Sequence, residues 1–300
     1  MNIWQIFGKV TCVYHLLKIS ISVLDGIGTT LIAFFSIADI IKRSFTNEKC
    51  IRDYFKKLRK IDSFLGIKIN NYFVDGICRY KFAIVTMHIV IFSTFVCDLY
   101  SNGLFYGWDV HKYNAVNFIL KYKITWFVVD LYMTANTVTK RFELLNKKFS
   151  TIIKFQNEHF LEVHAINYMK CHDMLCDLIT NINKTYGIQI LILEKIIALN
   201  VVETTYLCLL LAIQDRTKFN AVIFVNNFIW SIDFIICGAL ICFSCGKASR
   251  VGQHMLVLCQ NLYNTNQKNT VKAEILIQFS KQVAEIKPEF SSLEFFPVNY

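Results

Sequence analysis

Residues 219–245 read FNAVIFVNNFIWSIDFIICGALICFSC, with Asp233 as the one charged side chain. About twenty apolar residues suffice for a helix to cross a ~30 Å hydrocarbon core, and this run exceeds that. Its apolar residues come in uninterrupted blocks and do not alternate as the strands of a barrel would, so the lipid-compatible structure left is the helix. Four further stretches of this kind lie upstream, at about 21–41, 80–100, 114–138 and 187–213. The third is the least uniform, because Lys121 and Lys123 sit near its start, where long side chains snorkel outward. The whole composition follows the same pattern. Apolar residues make up 54% of the chain and charged residues 18%, below the roughly 25% usual for soluble domains. The fold class expected is all-α, a multispan transmembrane helix bundle occupying residues 1–246.

Charge fixes the expected orientation. The chain carries 32 Lys and Arg against 22 Asp and Glu, a net +10. In a soluble protein that excess would suggest nucleic acid as a partner. Here the basic residues gather in three long segments, 42–79, 139–186 and 247–300, while 101–113 and 214–218 hold few. Basic loops stay on the cytosolic side, so the three segments are expected there, as helical extensions of the bundle, with no nucleic acid implied. The sequon Asn183-Lys184-Thr185 falls in one of them and is expected to carry no glycan. The N-terminal MNIWQIFGKVTCVYHLL lacks the basic start and small-residue cleavage site of a signal peptide. The 11 Cys show no disulfide framework: Cys97, Cys208, Cys237 and Cys242 lie in apolar runs, and the others fall in reducing surroundings.

The long segments have helical periodicity of their own. Leu175, Ile179, Ile182, Tyr186 and Ile190 recur at three- and four-residue intervals, which predicts a helix that continues into the fourth span. Val271, Ile275, Phe279 and Gln282 repeat the pattern near the end of the chain.

No catalytic constellation emerges, so an enzyme is not expected. His159, His164 and His172 include no adjacent pair, and with Cys171 and Cys176 they match no closed zinc motif. Cys242-x-x-Cys245 lacks a redox setting, and Gly103-x-x-x-Gly107 is placed in a loop. No cofactor is implied. The informative residues are the ionisable ones inside apolar runs, namely Asp130, Glu194, Lys195, Glu203 and Asp233. Each costs about 2.5–3.5 kcal/mol near a helix centre and so faces the bundle interior, a partner or a cavity. Two readings stay open, helix-to-helix pairing or a polar ligand cavity. With the aromatics Tyr206, Phe228 and Trp230, the candidate ligand-binding set is Asp130, Glu203, Tyr206, Phe228, Trp230 and Asp233.

Four stretches then resemble the insect gustatory receptor family. RFELLNKKF (141–149) resembles the Arg-Phe-x-x-Leu-Asn signature after that family's fourth helix. HDMLCDLITNINKTYGIQIL (172–191) is similar to its His-x-x-Leu, Ile-Asn and Tyr-Gly-x-Gln-x-Leu pattern. FKKLRKIDSFLG (55–66) resembles its loop between the second and third helices, and EILIQFSKQ with FSSLEFFPVNY the stretch before its seventh. Glu294 departs from the small residue usual before the Phe pair. The resemblance implies a seven-helix receptor in the cell membrane with a cytosolic N-terminus, a subunit of a tetrameric ligand-gated cation channel. Its ligand would be a small-molecule tastant entering between the third and sixth family helices. It also implies that this sequence lacks the first and the pore-lining last helix. The alternatives are an odorant receptor of the same superfamily or a small membrane transporter.

Overall fold

The computed structural model describes residues 20, 23–24, 26–38, 48–67, 69–106, 111–155, 158–213, 218–266, 270–292 and 296–297. Seven helices account for almost all of them: α1 (Gly26–Ala38), α2 (Glu48–Phe64), α3 (Ile69–Tyr106), α4 (His111–Phe155), α5 (Glu158–Ile213), α6 (Lys218–Asn266) and α7 (Thr270–Glu285). A two-residue antiparallel pair, β1 (Ser291–Ser292) with β2 (Phe296–Pro297), pairs Ser291 with Pro297 and Ser292 with Phe296. The all-α expectation thus holds, with this short pair as an addition.

The helices are longer than the apolar runs. At 1.5 Å per residue the 56 residues of α5 extend about 84 Å, more than twice what a bilayer core requires. The helix expected over 172–190 is therefore one stretch of α5. α3 also outruns its apolar stretch: it continues to Tyr106, so Gly103 is helical and not in a loop, while Gly107 lies outside the described residues. Among the described residues, His164–Tyr206 and Phe228–Asn266 are apolar and long enough to cross a membrane, and Gly26–Ala38 and Ile84–Tyr100 are shorter apolar helices.

The chain divides into two compact units. Unit 1 comprises 1–41, 82–128 and 189–239; unit 2 comprises 42–81, 129–188 and 240–300. In unit 1, α3 exposes a continuous apolar stripe, with Phe82 at 75%, Ile89 at 61% and Phe92 at 66%. Such a stripe would drive aggregation in water and is at home against acyl chains. Elsewhere in the unit the packing is close: Phe35 is wholly buried and meets Phe127 edge-on at 5.3 Å.

Unit 2 has a phenylalanine core. Phe142, Phe149, Phe279 and Phe290 are fully buried, and Phe149 meets Phe279 edge-on at 4.8 Å. His172 is wholly buried beside this cluster, with ring centroids 5.6 Å from Phe142 and 5.9 Å from Phe279. Burial pushes its imidazole down to about 4, opposed by the Gly252 backbone, so the ring is neutral. α2 ends in a Schellman motif. Ile67 N–H donates to Asp62 O at 2.9 Å and Gly66 N–H to Ser63 O at 3.1 Å, with Gly66 at φ +55°, where a residue without Cβ fits.

Buried polar side chains tie the elements of unit 2 together. Arg141 on α4 grips Asp62 on α2 with two bonds, Nε to Oδ1 at 2.8 Å and the terminal nitrogen to Oδ2 at 2.9 Å. Asn183 on α5 donates to Glu289 O at 2.8 Å and accepts from Ser291 N–H at 3.1 Å. The sequon nitrogen is thus buried and engaged. Gln282 on α7 donates to Met169 O at 3.1 Å and to the Asp173 carboxylate. Gly252 lets α6 approach closely: a Cβ there would lie 2.5 Å from Pro288 Cγ and 3.2 Å from Phe142 Cζ.

Candidate functional site

Within unit 1 the polar contacts converge on Trp230 of α6. Its indole is 7% exposed. Lys121 of α4 holds its Nζ 3.3 Å from the centre of the ring, and the indole N–H donates to Asp98 Oδ1 of α3 at 3.4 Å. Asp233 is one helical turn from Trp230 and within reach of the Lys121 charge. One cation, two carboxylates and an aromatic face therefore share one region of unit 1. A cation on an indole contributes about 0.5–2 kcal/mol, more where water is scarce. The arrangement offers a cation, acceptors and a stacking surface to a small polar molecule.

A second polar contact lies one residue along. The Ser231 and Thr204 hydroxyls are hydrogen-bonded, and Thr204 also donates to Asn200 O at 2.8 Å on its own helix. Closer to the exposed side, His88 Nδ1 lies 2.7 Å from Ile84 O, which makes Nδ1 the protonated nitrogen. Nε2 then accepts from Tyr122 Oη at 3.0 Å, and Trp126 meets the imidazole edge-on. Tyr122 directly follows Lys121, so this cluster and the Trp230 cluster share one turn of α4.

The six residues predicted from sequence are distributed as follows. Trp230 and Asp233 stand in the Lys121 cluster. Phe228 is 47% exposed, as expected from its position about 200° around α6 from Trp230. Glu203 and Tyr206 are half-buried, three residues apart on one face of α5. Asp130 belongs to unit 2, where it is exposed and its Oδ2 accepts from Tyr186 Oη at 2.9 Å. Two further members, Lys121 and Asp98, are absent from the sequence prediction. The available signal was that a lysine within an apolar run must find a partner, and Asp98 closes the nearest such run upstream.

The Cys and His residues of unit 2 arrange differently. Cys176 Sγ lies 3.6 Å from His172 Nδ1. Burial pushes both the Cys171 and Cys176 thiols up to about 12, so they stay protonated and are poor nucleophiles.

The family described as the 7tm chemosensory receptor matches residues 3–300. Among solved structures, the insect olfactory receptor OR5 from Machilis hrabei superposes with a TM-score of 0.60 at 15% identity. The match covers 98% of this chain and 81% of that one, and shows a shared fold. No curated protein matches the chain. With nearly its whole length matched by the family model, the chain belongs to the 7tm chemosensory receptor family.

Proposed function

We propose that this chain is a gustatory receptor subunit of the cell membrane that binds a small-molecule tastant and gates a cation conductance, as a homo- or hetero-tetramer. The observation that carries the reading is the Lys121–Trp230 pair flanked by Asp98 and Asp233. A small polar ligand competes well for such a site: its hydroxyls replace the bonds of Asp98, and its apolar face replaces Lys121 on the indole. Binding shifts gating only if the ligand is held more tightly in one state than in the other. Displacing Lys121 from Trp230 supplies such a difference, because α4 and α6 are then no longer joined by that contact. The taste assignment rests on the Tyr-Gly-x-Gln stretch at 186–189, which resembles the gustatory signature. Likeness to an olfactory receptor at 15% identity is a likeness of fold and selects no odorant.

In this reading the five apolar runs span the bilayer, and the basic segments 42–79, 139–186 and 247–300 lie in the cytosol. Glu203, Tyr206 and Phe228 remain in the proposed ligand-binding set, with Trp230 and Asp233 at its centre, while Asp130, bonded to Tyr186 within unit 2, is not carried into it. The test is calcium imaging of cells expressing the chain with candidate partner subunits, challenged with sugars, amino acids, bitter alkaloids and volatile odorants. A response to a non-volatile tastant whose half-maximal dose falls about tenfold in Lys121→Gln, where no lysine competes for the indole, at equal surface level, supports the reading. Responses confined to volatiles, or a Lys121→Gln dose curve matching the parent, would overturn it.

A further inference from the structure

Within unit 2, α4 and α6 border an open groove of about 690 Å³, walled by Glu143 and Asn146 on one side and Phe243, Lys247, Arg250 and His254 on the other. Three independent features of this groove point to one kind of occupant.

The first is charge. Lys247 Nζ lies 3.1 Å from Glu143 Oε1, but both side chains are close to half exposed, so the pair is weak and open to exchange. Arg250, one turn further along α6, donates through Nε to Gly246 O at 3.3 Å. Its two terminal nitrogens remain available to an anion. The second is an unmet acceptor. Asn146 is nine-tenths buried, and its Nδ2 donates to Val251 O at 2.9 Å, yet its Oδ1 accepts no hydrogen bond. Such an oxygen is costly unless a donor reaches it, and the amide orientation is fixed by the bond to Val251. The third is position. Phe243 is 64% and Leu240 41% exposed, on the same face of α6 as Lys247. Lys247 is also the first charged residue after Asp233, so the groove begins where the apolar run of α6 ends.

We propose that this groove binds the headgroup of an anionic phospholipid that carries hydroxyl donors. The phosphate sits on Lys247 and Arg250, a headgroup hydroxyl donates to Asn146 Oδ1, and an acyl chain lies along Phe243 and Leu240. Basic residues at the end of a span are placed for anionic headgroups. The apolar flank distinguishes a lipid from a free phosphate, which would have no use for an exposed Phe.

The test uses the full chain purified in neutral detergent and titrated with dioctanoyl lipids, with binding read by native mass spectrometry. Phosphatidylglycerol is expected to bind about 30-fold more tightly than phosphatidylcholine, each basic residue contributing about fivefold. Phosphatidylmethanol has the same charge without the hydroxyls and is expected to bind about 2- to 10-fold more weakly than phosphatidylglycerol. Glycerol phosphate, without chains, should bind about tenfold or more weakly. Lys247→Gln with Arg250→Gln should erase the preference for phosphatidylglycerol while leaving the melting temperature of the lipid-free protein unchanged. Equal affinity for the neutral and anionic lipids, or full binding by the double variant, would overturn the site. Equal binding of phosphatidylmethanol would remove Asn146 from it, and equal binding of glycerol phosphate would make it a phosphate site and not a lipid site.

Discussion

The Arg141–Asp62 pair gives the sharpest test of how unit 2 holds together. The side chains are only 10% and 19% exposed, and the guanidinium spans both carboxylate oxygens while its other terminal nitrogen donates to Thr137 O at 3.0 Å. Removing one partner from a fully buried pair costs about 3–5 kcal/mol, because the remaining charge is stranded. The residual exposure of Asp62 lets water offset part of this, so Arg141→Met is expected to cost about 3 kcal/mol. Asp62→Leu should cost a similar amount, with Arg141 then holding only Thr137 O. At about 2–4 °C per kcal/mol for a unit of this size, each variant should melt about 6–12 °C lower. The double variant replaces both charges by apolar side chains, so no charge is left stranded and it should melt within about 4 °C of the parent. Fluorescence-detected size exclusion after stepwise heating measures all four proteins. If the two losses simply add, the pair is not the unit of stabilisation and the reasoning fails.

Three further outcomes follow from unit 2. The imidazole of His172 titrates at about 4 in the fold against 6.5 in the unfolded chain, so its cost to stability is absent above pH 6.5 and grows as the pH falls. The cost reaches about 3 kcal/mol below pH 4, and His172→Gln should flatten this part of the melting temperature profile relative to the parent. Gly252→Ala gains about 1 kcal/mol of helix propensity but places its Cβ 2.5 Å from the rigid Pro288 ring. Overpacking at about 1–3 kcal/mol wins, and adding Pro288→Ala should recover most of the lost melting temperature. Asn183→Ala strips partners from Glu289 O and Ser291 N–H and should lower stability by about 2 kcal/mol, seen as faster proteolysis near residue 290.

Much of the helical architecture was legible in the sequence, because period and hydropathy are local properties. Ile275 and Phe279 recur at helical spacing and are buried on α7, and the apolar residues of 172–190 lie on α5. Gly103 shows where local reading fails. Gly103 is placed in a loop by its sequence, yet α3 continues through Ser101, Asn102 and Gly103 to Tyr106, since weak local preferences yield to a helix already propagating. The polar side chains bonding one element of unit 2 to another were not legible. Lys148 donating to Leu65 O at 2.6 Å caps a helix that is 83 positions away, and nothing near either residue announces it.

The candidate site divides along the same line. A charge in an apolar run tells the reader that a partner exists, because an unpartnered one is too costly. It does not say which partner, and the answers here differ. Asp130 and Asp233 look alike in sequence, each a single acid in an apolar stretch. Asp130 receives the Tyr186 hydroxyl within unit 2, whereas Asp233 faces the charge of Lys121 within unit 1. Trp230 meets Asp98 across 132 positions of sequence, a pairing that only the packing of α3 against α6 creates. Helical arithmetic alone separates Phe228 from Trp230: two residues on one helix point about 200° apart, so one packed indole leaves its neighbour turned outward. That is why the set centred on Lys121 shares only two members with the set read from depth and polarity, and why mutating Lys121 tests the site more directly than mutating any acid.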